Sequence, residues 1–167
     1  MADEQSTELD TITHAILTSY QEHEDTQRVG KDFLPSRQRI IALIDEIREL
    51  LFPGFFGEQE LTQENVKFHV GNLVSLLAQD VGEQIYQCLC YGGHAGGEPC
   101  RQRADRLARQ FLAAVPQLRH LLALDAQAAY DGDPAAKSID EIVYSYPGYY
   151  SVTVYRIAHR LLSLGVP

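Results

Sequence analysis

An all-α fold, a multi-helix bundle of about six to eight helices, is what this sequence predicts. Three observations carry the prediction. Apolar residues recur every three or four positions along nearly the whole chain, which is the period of an amphipathic helix. Proline and glycine fall between these stretches, where they end helices. There is no run of strands, no low-complexity tract, and no internal repeat of roughly 20 to 50 residues.

Taken in order, Leu9, Ile12, Ile16, Leu17 and Tyr20 form the first apolar stripe. The stretch DTQRVGKDFLP, polar and closed by a proline, reads as a connection. Ile40, Leu43, Ile44, Ile47, Leu50 and Leu51 form a second stripe behind Ser36, which is placed to cap the helix. LFPGFFG then ends that helix at Pro53 and Gly54, and its three phenylalanines predict a corner that docks by aromatic packing. Thr62 caps a long third helix, with Val66, Val70, Leu73, Leu77, Val81 and Ile85 running toward Cys88.

A glycine-rich break, GGHAGGE, separates this helix from the next, which Pro99 opens from its first turn. Leu107, Phe111, Val115, Leu118, Leu121 and Leu122 are its expected buried stripe, with a bend near Pro116 and helix continuing to Asp125. DGDPAAKS, residues 131 to 138, is a loop, and Ser138 with Glu141 has the spacing of a capping box for a short helix through Tyr146. After Pro147 and Gly148 a last helix carries Val154, Tyr155, Ala158, Leu161 and Leu162 on one side and stops at Gly165.

With 167 residues, 45% of them hydrophobic and 22% charged, the chain is of single-domain length and able to bury a core. A net charge of −9 repels nucleic acid. No stretch reaches the roughly 20 apolar residues that span a bilayer, and the acidic start MADEQSTELD is unlike a signal peptide. The expectation is a cytoplasmic protein that binds neither membrane nor nucleic acid, its three cysteines remaining thiols.

Cys88, Cys90, His94 and Cys100 are the ligand types of a structural zinc centre. The one-residue gap between Cys88 and Cys90 near a helix end points them to different sides, so no metal is expected. No two histidines stand at the i, i+4 spacing of a helical metal site, and there is no nucleophile elbow or phosphate-binding glycine motif. Ser145, Ser151 and Tyr155 lack a placed base. Asp133, in Asp133-Pro134-Ala135, has two readings. It is a turn cap with Pro134 in the following position, or a loop carboxylate that receives a substrate ammonium through a charge-assisted hydrogen bond, with Asp131 nearby.

The run DAQAAYDGDPAAKSIDEIVYSYPGYYSVTVYRIAHRLLSLGVP, residues 125 to 167, resembles the end of the helical N-terminal domain of bacterial serine acetyltransferases. Asp125 precedes Asp133-Pro134-Ala135 by eight residues, and Tyr155-Arg156-Ile157-Ala158-His159 follows at the family's distance. LPSRQRIIALIDEIRELLFPGFFG and LTQENVKFHVGNL resemble the longer N-terminal extension of one branch of that family. The resemblance implies transfer of an acetyl group from acetyl-CoA to the L-serine hydroxyl, for cysteine biosynthesis. It also implies a hexapeptide-repeat β-helix that carries the catalytic base and the acetyl-CoA groove, and helical faces that associate into homo-oligomers.

By this match Asp133 contacts serine, no residue of the chain is catalytic, and His159 is structural. The chain is then one helical domain, 1–167. Residues 1–33 form an N-terminal helix and connection, 34–124 a helical core, and 125–167 the substrate loop and linker helices leading to an absent β-helix. No cofactor belongs to the chain itself, acetyl-CoA being a co-substrate of the parent enzyme, and an O-acetylserine sulfhydrylase would bind only through an absent C-terminal tail. The alternative is a stand-alone, non-catalytic helical interaction module.

Overall fold

The computed structural model describes residues 2–30, 34–57, 60–91 and 97–167. Among them are seven α-helices and no strand ladder. The chain forms two compact units, residues 1–33 and 34–167.

The first unit is helix α1, Ala2–Glu22, followed by a 3-10 turn, Glu24–Thr26. Thr11 and Thr18 turn their hydroxyls back onto the carbonyls of Thr7 and His14, satisfying them within the helix. The stripe Leu9, Ile12, Ile16, Leu17 and Tyr20 is exposed, from 47% at Ile12 to 64% at Leu9.

The second unit holds the core. Helix α2, Arg37–Leu51, starts where the Ser36 hydroxyl accepts from the Arg39 amide at 3.2 Å. The Ser36 amide in turn donates to the side-chain oxygen of buried Gln84 at 3.1 Å, which gives that polar side chain its partner. At the far end, Pro53 and Gly54 form a turn in which the Phe55 amide bonds the Phe52 carbonyl at 3.1 Å, with Gly54 at φ +84°. A positive φ at that position is the type II pattern, which glycine adopts without steric cost. The Arg119 guanidinium donates to the Leu51 carbonyl, satisfying an acceptor at the helix end.

Thr62 and Asn65 cap each other reciprocally before helix α3, Val66–Tyr91. Helix α4, Glu98–Ala113, packs along α3 through small residues: Gly82 lies against Ala108, and Ala104 and Ala108 are fully buried. Phe111 fills the interior beside Leu77, Leu89 and Leu122, each completely buried, and its burial contributes about 2 to 3 kcal/mol.

The expected bend near Pro116 is a break. Helix α4 stops at Ala113, Ala114 turns the chain, and helix α5, Val115–Gly132, begins with Pro116 in its first turn, where a missing N–H costs nothing. Of the expected stripe, Leu107, Phe111, Val115, Leu118 and Leu122 are buried and Leu121 is half-buried. Helix α6, Ile139–Ser145, and helix α7, Pro147–Ser163, complete the unit and pack against α5. Helix α7 closes in a Schellman motif: Gly165, at φ +81°, donates to Leu162 and Val166 donates to Leu161, and the Val166 side chain turns into the core.

The buried face of α7 differs from the expected one. Tyr149, Thr153 and Ile157 face inward; of the expected stripe, Leu161 packs partly buried against the core and Val154 is half-buried, whereas Tyr155, Ala158 and Leu162 are exposed. Apolar residues stand on both sides of this helix, and the buried side is chosen by polar-tipped residues that find partners. Tyr149 donates to the Leu122 carbonyl at 3.0 Å and Thr153 to the Tyr149 carbonyl at 2.9 Å.

Candidate functional site

Helix α5 runs seven residues past Asp125 to Gly132, so Asp131 belongs to its last turn, where it accepts from the Gln127 amide group at 2.8 Å. The loop is shorter than the sequence indicates and begins at Asp133, the residue that ends α5. Asp133 folds the backbone onto itself. Its Oδ1 accepts from the Ala135 amide at 2.9 Å and its carbonyl from the Ala136 amide at 3.1 Å, an Asx-type turn with Pro134 at the bend.

The other carboxylate oxygen, Oδ2, accepts from the Tyr146 hydroxyl at 2.8 Å, a bond that crosses from the loop to the α6–α7 junction. Donors on both oxygens favour the anion. The Ala135 amide chiefly, and the Tyr146 hydroxyl after it, hold the carboxyl below the usual carboxylate range, and Asp133 in turn raises the Tyr146 phenol. At neutral pH the pair is a carboxylate accepting from a neutral phenol.

The rest of the loop is fixed by capping. The Ser138 hydroxyl accepts from the Glu141 amide at 3.1 Å, while the Glu141 carboxylate reaches back to the Lys137 amide at 2.8 Å rather than to that of Ser138. Further along the same two helices, α5 and α7, Arg156 holds Asp125 with two bonds, from Nε to Oδ2 and from Nη2 to Oδ1 at 2.7 Å. Asp125 and Arg156, quoted in the sequence for their spacing alone, are thus an ion pair joining α5 to α7.

The aromatic corner docks as its composition predicts. Phe52 packs on Tyr149 with ring centroids 5.8 Å apart, Phe56 stacks on Tyr144 at 6.2 Å, and the Arg48 guanidinium lies 3.9 Å from the Phe56 ring centre and 4.7 Å from that of Tyr150. This cluster ties the end of α2 to the helices that frame Asp133.

Among the described residues no group of three or more His, Cys, Asp or Glu side chains is placed to hold a metal. His94 lies outside the described residues. Cys88, Cys90 and Cys100 are free thiols; burial pushes Cys88 up, and burial first and Cys90 second push up Cys100, the reverse of what a thiolate ligand needs. Ser151 donates to the Pro147 carbonyl at 2.9 Å within its own helix, and His159 packs on exposed Tyr155 with ring centroids 5.7 Å apart. Among the described residues no helix is long and apolar enough to cross a membrane.

Fold and site define an all-helical domain that holds one ionised aspartate at the turn after its fifth helix. No family model matches the chain. It is 39% identical over 140 residues to a plasmid-encoded serine acetyltransferase of Synechococcus elongatus, an alignment covering 80% of the chain and 44% of the relative. A serine acetyltransferase of Synechocystis sp. is 37% identical over 46 residues, 28% of the chain and 18% of that relative.

Among solved structures, serine acetyltransferase 1 of Entamoeba histolytica in complex with L-cysteine superposes with a TM-score of 0.59 at 29% identity, over 74% of this chain and 41% of that one. The native form of the same enzyme gives 0.60 at 26% identity, over 93% and 53%. The chain is homologous to the serine acetyltransferases, and it spans less than half the length of the curated relatives it matches.

Proposed function

We propose that this chain is the helical domain of a cytoplasmic serine acetyltransferase, which moves an acetyl group from acetyl-CoA to the hydroxyl of L-serine in cysteine biosynthesis, and that Asp133 contacts the amino acid. The observation that carries the reading is the state of Asp133. It is an anion on a turn at the end of a helix, with one donor on each carboxylate oxygen and therefore acceptor capacity left on both. An amino-acid ammonium is the complementary charged donor. The homologous enzyme from E. histolytica crystallised with L-cysteine, an amino acid of serine's shape, supports the same class of ligand.

In this reading the helical domain supplies a substrate contact and association surfaces, while the base that deprotonates the serine hydroxyl and the groove for acetyl-CoA belong to the rest of the enzyme. The exposed apolar stripe of α1 supports association with further copies of the chain. Asp133→Asn in the intact enzyme is expected to raise the serine KM about tenfold, leave the acetyl-CoA KM unchanged and weaken inhibition by cysteine. An unchanged serine KM and unchanged cysteine inhibition would refute the assignment.

A further inference from the structure

We propose that Tyr146 is the positioning residue for Asp133: its hydroxyl fixes the direction in which the carboxylate is presented to the substrate ammonium. The proposal rests on the reading of Asp133 given above, and it names a residue that the spacing of the sequence does not point to.

The geometry is asymmetric. Asp133 caps the end of α5 at the start of a loop, and its bond to the Ala135 amide lies within the same turn, so that bond moves with the loop. The bond to Tyr146 is the one that refers the carboxylate to another part of the fold. Tyr146 is held at both backbone ends: its amide donates to the Ile142 carbonyl at 3.3 Å, closing α6, and its carbonyl accepts from the Tyr150 amide at 3.0 Å, opening α7. It precedes Pro147, which keeps it in the extended conformation observed, φ −79° and ψ 116°. Its half-buried ring packs against the core. A residue bonded at both backbone ends thereby holds Oδ2 of a loop residue.

This arrangement suits recognition of an ammonium. A carboxylate on a turn rotates about its own side-chain bonds, and a contact that must be met within about half an ångström needs a second group to stop that rotation. The phenol does so as a neutral donor, consuming one acceptor position on Oδ2 and leaving the charge in place. Glu141, which also acts on the phenol, opposes its ionisation and keeps it a donor.

Tyr146→Phe keeps the ring and removes the hydroxyl. In the intact enzyme it is expected to raise the serine KM about three- to tenfold with kcat within about twofold. In the 167-residue chain it should move the Asp133 carboxyl titration, followed by carbon-detected NMR, to higher pH, because one donor to the anion is gone. A role confined to stability would lower the melting temperature and leave the Asp133 titration and serine KM where they are, and that result overturns the proposal. If Asp133→Asn raises the serine KM while Tyr146→Phe changes neither readout, the positioning role fails and the function of Asp133 stands. If Asp133→Asn leaves the serine KM unchanged, both fall together.

Discussion

Arg156 grips Asp125 with both edges of its guanidinium fork, Nε on one carboxylate oxygen and Nη2 on the other, across the interface between α5 and α7. The two side chains keep 27% and 25% of their exposure, so water screens the pair in part but leaves neither partner fully solvated. Removing one partner is then worse than exchanging it. Arg156→Lys, which keeps the charge and loses the fork, is expected to cost about 1 kcal/mol, and Arg156→Leu about 2 kcal/mol because Asp125 is left half-buried without its counter-ion. Urea denaturation of both variants with Asp125→Asn and the double mutant closes a thermodynamic cycle; a coupling energy near zero would show that the pair contributes nothing.

Alkaline pH should unfold the second unit through Tyr149. Burial, with Asp125 adding to it, pushes this phenol up to about 12, against an ordinary tyrosine value of about 10. A folded-state value above the unfolded one favours the native state at every pH below 10, and that contribution drains away as pH rises from about 10 to 12. Tyr149→Phe removes the titrating group, so its melting temperature is expected to fall less than that of the parent as pH rises from about 10 to 12. Parallel melting curves for the two proteins would contradict this.

Gly54 and Gly148 predict opposite outcomes for one substitution. Gly54 sits at φ +84° in the turn after α2, a conformation that costs an alanine about 1 kcal/mol. Gly148 lies in the first turn of α7 without a positive φ and with open space where a Cβ would go. Gly54→Ala is therefore expected to lower the melting temperature, and Gly148→Ala to raise it by reducing the freedom of the unfolded chain. Differential scanning calorimetry decides both in one experiment.

Much of the fold was legible because its signals are local. Ser36 and Ser138 accept from backbone amides three residues on, Pro53 and Gly54 turn the chain, and Pro99 and Pro116 both stand in first turns of helices. The bend expected near Pro116 became a break, since the proline stands in the first turn of a new helix instead of inside a long one. The inner face of α7 was misread for a different reason. Hydrophobicity alone ranks Val154, Ala158 and Leu162 above Thr153 and Tyr149, but the latter two have hydrogen-bond partners inside and can be buried.

The candidate site divides in the same way. Its loop, its proline and its aspartate are readable in DGDPAAKS, and the turn that Asp133 caps follows from its own residue type. Tyr146 was read as the end of a short helix, because a bond between residues thirteen apart leaves no period or spacing in the chain.

By itself the sequence determined the caps at Ser36 and Ser138, the turn at Pro53 and Gly54, and that an acidic loop residue precedes a capped helix, since each depends on a few neighbouring residues. Only the tertiary structure decided which side of α7 is buried, that Arg156 answers Asp125, and that Tyr146 answers Asp133. Those choices depend on hydrogen-bond partners brought together from distant helices, and they exist only once α5, α6 and α7 are packed.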